Sequence, residues 1–229
     1  MITRTAPLAT RAGHLFPPQR NRRRRLLSTP VLITGGAGFI GSALTRRLVT
    51  AGYDVAVMDV LHPQVHGERP AFDLPPSVRM FTGDVTHAPD CDAVLRLFRP
   101  SQIVHLAAET GTAQSLSQAT RHGSVNVVGT AQLLDALSRS ALVPDQLVLA
   151  SSRAVYGEGA WRCGTQTFYP PPRSHAQLLA GIWDPKGPNG EPAVPLPSCA
   201  GQTEPRPTNI YAATKLAQEH MLAAWDGRP

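Results

Sequence analysis

At 229 residues with 42% hydrophobic content, the chain is long enough to bury a real core, enough for one domain and part of another. No apolar run approaches membrane-span length, and three scattered cysteines, Cys91, Cys163 and Cys199, suit neither a disulfide framework nor a four-thiolate metal site, so a reducing, cytoplasmic setting is expected. The net charge of +6 looks like a nucleic-acid signal until it is divided along the chain: residues 1–30 hold seven arginines and no acid, so the remainder carries −1, and neither nucleic acid nor a membrane is an expected partner.

Residues 1–30 read as a disordered basic tail, because Pro7, Pro17 and Pro18 interrupt any amphipathic helix and no apolar periodicity appears before Leu26. The first structural signal is VLITGGAGFIGS, residues 31–42. Val31 to Ile33 have the character of a buried central strand, and Gly35, Gly38 and Gly41 recur every third residue in the turn after it. Gly35 permits the tight turn, Gly38 lets a pyrophosphate approach the backbone for want of a Cβ, and Gly41 lets the next helix lie close to the strand. That helix begins near Phe39, aims its free N–H groups at the phosphates, shows an apolar face at Leu44, Leu48 and Val49, and ends at Gly52. Residues 54–59, DVAVMD, form a second buried strand. It ends in Asp59, about 20 residues beyond the turn, where such folds place the acid that bonds an adenine ribose.

After a Pro- and His-bearing loop, Val78 to Phe81 form a third strand running into Gly83-Asp84-Val85, and a helix spans Ala88 to Phe98 before Pro100. Gln102 to Ala108 read as the fourth strand, Ser124 to Ser138 as a helix and Gln146 to Ser151 as the fifth strand. This alternation predicts an α/β fold, a doubly wound Rossmann parallel sheet with helices on both faces over residues 31–229, carrying a Pro- and Gly-rich insert at about 158–206. Ligands of such sheets sit beyond the carboxyl ends of the strands, which here carry Asp59, Asp84, His105 and Ser151-Ser152. Taken singly, Asp84 reads as a cap of the following helix and the serines as a turn. Tyr211 and Lys215, four apart, share a helical face, where an ammonium beside a phenol favours phenolate, a general base for a hydroxyl. Such a pair is common by chance and gains its meaning from the glycine turn and Ser152.

TGGAGFIG at 34–41, GDV at 83–85, HLAA at 105–108, VNVVGT at 125–130, SSRAVYG at 151–157 and YAATK at 211–215 together resemble the extended short-chain dehydrogenase/reductases, the NAD-dependent nucleotide-sugar epimerases and dehydratases. The resemblance covers nearly all of residues 31–225 in the family's order. It implies that Gly35, Gly38, Phe39, Ile40 and Gly41 line the pyrophosphate of NAD, Asp59 the adenine ribose, and Asp84 and Val85 the adenine. It implies further that Leu106, Ala107 and Ala108 line the far side of the cofactor, with Tyr211 and Lys215 also against it, and that Ser152, Tyr211 and Lys215 are catalytic.

Arg153 and Ala154 stand where the family's dehydratases and decarboxylases usually carry acids, which favours 4-epimerisation of a nucleotide sugar through a transient 4-keto form. Within the family the chain looks most like the dTDP-L-rhamnose 4-epimerase type. A nucleotide-sugar 4,6-dehydratase or reductase is an alternative, as is an NAD-binding fragment without catalysis, because the family continues past this point with a sixth strand and a C-terminal substrate lobe that the chain is expected to miss. A homodimer is expected of the full-length type. Inserts of that type look like paired-cysteine metal loops; with two cysteines, Cys163 and Cys199, beside His175, a mobile loop with unpaired thiols and no metal is expected instead.

Overall fold

The computed structural model describes residues 29–67 and 73–226, so the expected basic tail lies outside the described residues except for its last two. Its centre is a parallel sheet of β1 (Pro30–Thr34), β2 (Asp54–Asp59), β3 (Arg79–Thr82), β4 (Gln102–His105) and β5 (Gln146–Leu149), in the order β3-β2-β1-β4-β5. The strand of the glycine turn is thus the middle one, and its neighbours step away on both sides, the order of a doubly wound Rossmann sheet. Alternation along β1 and β2 sends side chains to two separate cores. Val31, Ile33, Val55 and Val57 pack with Ala37 and Leu48 on one face. Leu32, Ala56 and Met58 pack with Val94, Leu95, Leu133 and Leu137 on the other.

Helices cover each core. α1 (Phe39–Thr50) ends where Gly52 N–H donates to the Val49 carbonyl and Tyr53 N–H to the Leu48 carbonyl, with Gly52 at a φ of +88°, so this glycine lies just past the cap at Ala51. A one-turn α2 (Pro63–His66) follows β2, and α3 (Ala88–Phe98) stops at Arg99, held at a φ of 49° immediately before Pro100. α4 (Ala119–His122) continues through a π-helical turn, Gly123–Val128, into α5 (Gly129–Arg139). The helix therefore begins five residues before the Ser124 expected from periodicity. Its first turn, ATRH, carries no apolar repeat, and the π turn shifts the phase of the α5 face relative to that of α4.

The fourth strand stops at His105 rather than Ala108, and the fifth at Leu149 rather than Ser151. Each ends where its inner neighbour ends: Thr34 is the last partner of His105, and His105 the last partner of Leu149. The third strand is shifted by one residue, so that Thr82 pairs with Asp59. Among the described residues β5 pairs with β4 alone.

The insert differs most from expectation. Expected as a loop with unpaired thiols, it forms a small antiparallel sheet of β6 (Trp161–Cys163), β7 (Gln166–Phe168) and β8 (Val194–Pro195), with β6 in the middle. Between β7 and β8 lies α6 (His175–Leu179), opened by a reciprocal capping box of Ser174 and Gln177. The last helix, α7 (Ile210–Asp226), returns to the main sheet, where Met221, Leu222 and Trp225 pack on the α3 and α5 core. The Cys91, Cys163 and Cys199 thiols are unpaired.

Leu137 is wholly buried between α5 and the sheet. Leu137→Ala is expected to lower stability by about 2–5 kcal/mol, read as a lower urea midpoint in circular dichroism.

Candidate active site

The turn after β1 is built on close backbone approach. Gly35 has a φ of +68°, and a Cβ there would stand 2.7 Å from the Ala107 nitrogen. A Cβ on Gly41 would stand 2.4 Å from the Gly35 carbonyl oxygen, so α1 reaches the end of β1 only with a glycine at this position. Gly36, which the spacing argument passed over, fits equally tightly against the Val57 methyls. Gly38 is different: its Cβ would meet only the Gly35 oxygen, at 3.4 Å, and otherwise open space. It precedes α1 with no side chain capping the helix, so the first N–H groups of α1 face an open cradle without a Cβ, which fits a pyrophosphate. Phe39, 94% exposed, and Ile40 stand at its mouth.

Asp59 closes the floor of this turn. Its Oδ2 accepts the Ala37 N–H at 3.0 Å and its Oδ1 the Leu61 N–H at 2.9 Å, while His66 Nε2 lies 3.7 Å from Oδ1. The carboxylate expected at a ribose thus also braces the glycine turn. Asp84 accepts the Thr86 N–H at 2.8 Å, and its own N–H donates to Asp90 Oδ2 at 2.9 Å. It therefore fixes the turn before α3 rather than capping the helix, whose N-cap is His87. Val85 is buried against Gly129, where a Cβ would come within 2.8 Å of a Val85 methyl. Leu106, Ala107 and Ala108 leave the sheet beside the glycine turn, with the Leu106 N–H donating to the Thr34 carbonyl and the Ala107 N–H to the Thr34 hydroxyl.

The second half of the site is the start of α7. Tyr211 is half-buried, with its ring edge-on to His122 at 6.3 Å between centroids. Lys215 is 3% exposed, and burial draws its ammonium down to about 8, against the opposing pull of Glu219. Ser152 Oγ accepts the Ala154 N–H and so starts the single turn Arg153–Tyr156, which packs against α7. Ser151 donates to Glu219, so the two serines do not form a turn themselves: one caps the turn that follows and the other fastens α7 to the end of β5. Among the described residues no hydrogen bond joins Ser152 to Tyr211.

Sequence reasoning missed three polar residues between these halves. Thr34, Thr130 and Gln218 are fully buried, and with His105 they form one hydrogen-bonded string from the end of β1 to Lys215. Gln218 was detectable, since it falls three residues after Lys215 and seven after Tyr211, on the same helical face.

Burial, then the nearby Lys215 charge, lower His105 from its ordinary 6.5 to about 3. In that window the unfolded chain binds a proton here that the folded chain does not, so this part of the stability is complete above the unfolded value and is lost as pH falls. The loss amounts to at most about 1.4 kcal/mol per pH unit. In His105→Gln the component is absent, and urea unfolding from about pH 6 to pH 4 is expected to show a shallower dependence of stability on pH, by about 1 kcal/mol per unit.

Residues 31–176 match the NAD dependent epimerase/dehydratase family. The dTDP-L-rhamnose 4-epimerase of Burkholderia thailandensis is 51% identical over 198 residues, which are 85% of this chain and 53% of that protein. The UDP-glucose 4-epimerase of Lactobacillus helveticus is 35% identical over 127 residues, 56% of this chain and 36% of that one. Among solved structures, the Thermus thermophilus UDP-glucose 4-epimerase in complex with NAD superposes with a TM-score of 0.60 at 28% identity, over 86% of this chain and 50% of its own. The chain thus spans about half the length of such relatives or less. With the glycine turn at its centre and a match through most of its length, it belongs to the NAD dependent epimerase/dehydratase family.

Proposed function

We propose that residues 31–226 form the cofactor-binding and proton-transferring part of an NAD-dependent nucleotide-sugar 4-epimerase of the cytoplasm, acting on a dTDP-sugar such as dTDP-L-rhamnose. The observation that carries this reading is the buried string that ties Lys215 on α7 to Thr34 at the root of the glycine turn, because it makes one site of the cradle and the Tyr-Lys helix. The likeness to the Burkholderia thailandensis dTDP-L-rhamnose 4-epimerase supports the choice of substrate.

In this reading the backbone N–H groups at Phe39, Ile40 and Gly41 hold the pyrophosphate, Gly38 lets it approach for want of a Cβ, and Gly35 sets the turn that presents them, its carbonyl accepting the Gly38 N–H. Asp59 accepts from the adenine ribose with the lone pairs left by Ala37 and Leu61, and Asp84 and Val85 flank the adenine. Leu106, Ala107 and Ala108 wall the cofactor on the side of β4, and Lys215 bonds its second ribose. Bound there, the nicotinamide supplies reversible hydride acceptance at the sugar C4. Tyr211 removes the proton of the C4 hydroxyl at its Oη and later returns it. Ser152 donates a hydrogen bond to the same sugar oxygen, and Lys215 supplies the positive charge that a phenolate base requires beside it. Arg153 and Ala154 put no carboxylate next to the transient 4-keto sugar to drive elimination, which favours an epimer over a dehydrated product.

Calorimetric titration tests the cofactor half. NAD is expected to bind more tightly than NADP, since the Asp59 carboxylate repels a 2′-phosphate, and Asp59→Ala is expected to narrow the gap. Gly38→Val fills the cradle and is expected to weaken NAD at least about tenfold, so undiminished binding in that variant would remove the cradle from the reading.

The proton half is tested by proton NMR of dTDP-L-rhamnose incubated with protein and NAD. In a full-length protein of this type Tyr211→Phe is expected to slow appearance of the C4 epimer by about 10² to 10⁴ while leaving NAD affinity within about twofold, and the 229-residue chain is expected to show far less contrast. Equal rates in the full-length pair would overturn the base, and NAD binding with no epimer in either would leave only the cofactor half standing.

A further inference from the structure

The string between Lys215 and the sheet can be followed proton by proton. Thr130 has one hydroxyl proton, which it donates to the Asn126 carbonyl at 2.6 Å, one turn back along the helix. Its oxygen can therefore only accept from its two other partners, Gln218 Nε2 at 2.6 Å and His105 Nε2 at 3.0 Å. Gln218 must then present its amide nitrogen to Thr130, which leaves its carbonyl oxygen for the Lys215 ammonium. His105 must likewise carry its proton on Nε2, which leaves Nδ1 to accept from the Thr34 hydroxyl at 2.6 Å, and the Thr34 oxygen in turn accepts the Ala107 N–H at 3.3 Å. The string has one consistent set of proton positions: donation runs inward from the backbone amide beside the glycine turn and from the ammonium on α7, and both arms meet at Thr130, which passes its own proton to Asn126. A reversed Gln218 would point amide protons at an ammonium and leave Thr130 facing a carbonyl with no proton to give.

We infer that Gln218 and Thr130, braced by a neutral His105, are positioning residues that fix the Lys215 ammonium and maintain its charge inside the protein. The inference rests on the reading of Lys215 as part of the proton-transferring set and adds what holds it there. Burial alone favours loss of the lysine proton, and a carbonyl oxygen locked onto Nζ opposes that loss. Titratable groups on α7 besides Lys215 are Tyr211, Glu219, His220 and, at its far end, Asp226; β4 adds His105, α4 adds Arg121 and His122, the turn after β5 adds Arg153 and Tyr156, and α5 adds Asp135 and Arg139, while the π turn packed on α7 has none. Of these, Glu219 raises the Lys215 value, and His105 interacts with the Lys215 charge. Gln218 is the side chain bonded to Nζ, and Thr130 is what aims it.

The sequence makes the test direct, because the chain has only two lysines, Lys186 and Lys215. In the 229-residue chain labelled with ¹³C at the lysine ε-carbons, two signals are followed against pH, and Lys186→Arg identifies the second. Lys215 is expected to titrate near 8. Gln218→Leu is expected to lower that midpoint by about one unit or more, and Gln218→Glu, which puts a carboxylate on Nζ, to raise it by about as much. Thr130→Val touches no atom of Lys215 yet is expected to lower the midpoint by at least about half a unit, with Thr130→Ser restoring it.

An unchanged midpoint in Thr130→Val beside a shifted one in Gln218→Leu would sink the string and leave a simple contact. In the unaltered chain, ¹⁵N shifts of His105 are expected to show the Nε2–H tautomer; an Nδ1–H tautomer would overturn the assigned proton positions even if every variant failed to fold. All readouts are on Lys215 and His105 themselves, so they stand apart from whether Tyr211 acts as the base.

Discussion

Helix α1 reaches the end of β1 because Gly41 has no side chain, and a Cβ there would stand 2.4 Å from the Gly35 carbonyl oxygen. The rest of the site depends on that approach. With α1 drawn in, Gly35 N–H reaches the Met58 carbonyl of β2, Ala37 N–H reaches the Asp59 carboxylate, and Ala107 lies against Gly35 from the other side. The turn therefore locks the ends of β1, β2 and β4 at one height. Lifting α1 by the width of a methyl group would uncouple the carboxylate and the loop after β4 together, which is why the cradle is a property of three strands and not of one loop.

The second constraint is the polar seam through the opposite core. His105, Asn126, Thr130 and Gln218 are fully buried, and burying such groups unpaired would cost roughly 1–3 kcal/mol each. All are paired, and with specific partners: Asn126 alone accepts the Glu109 N–H and donates to the Glu109 carbonyl and the Thr214 hydroxyl. Apolar contacts between α5 and α7 would tolerate sliding; hydrogen bonds of fixed direction do not, and they set the register of α7 against the sheet.

How much of this was legible depends on range along the chain. The glycine turn, the strand ending at Asp59 and the helical pairing of Tyr211 with Lys215 are local patterns, and the residues involved lie where their spacing put them. Strand ends were misjudged because Leu106-Ala107-Ala108 is as apolar as a strand, while a strand lasts only as long as its neighbour, and Thr34 is the last residue of β1. The insert was misread because strands of two and three residues show no periodicity, and its order comes from pairing such as Trp161 with Phe168. Thr130 and Gln218 meet across 88 residues of chain, a separation at which no spacing rule applies. The Asp59 carboxylate was legible as to place but not as to duty, since its bonds to Ala37 and Leu61 arise from the folded turn.

Phe39 has a thermodynamic consequence. A phenyl ring left 94% exposed at the first position of a helix keeps apolar surface in contact with water at the mouth of the cradle. Anything that settles over the helix N-terminus, however polar its own contacts with the amides, must shed that water from the ring. Occupation of the cradle should thus carry a negative heat-capacity change, a hydrophobic signature on an event that the neighbouring amide groups would mark as electrostatic.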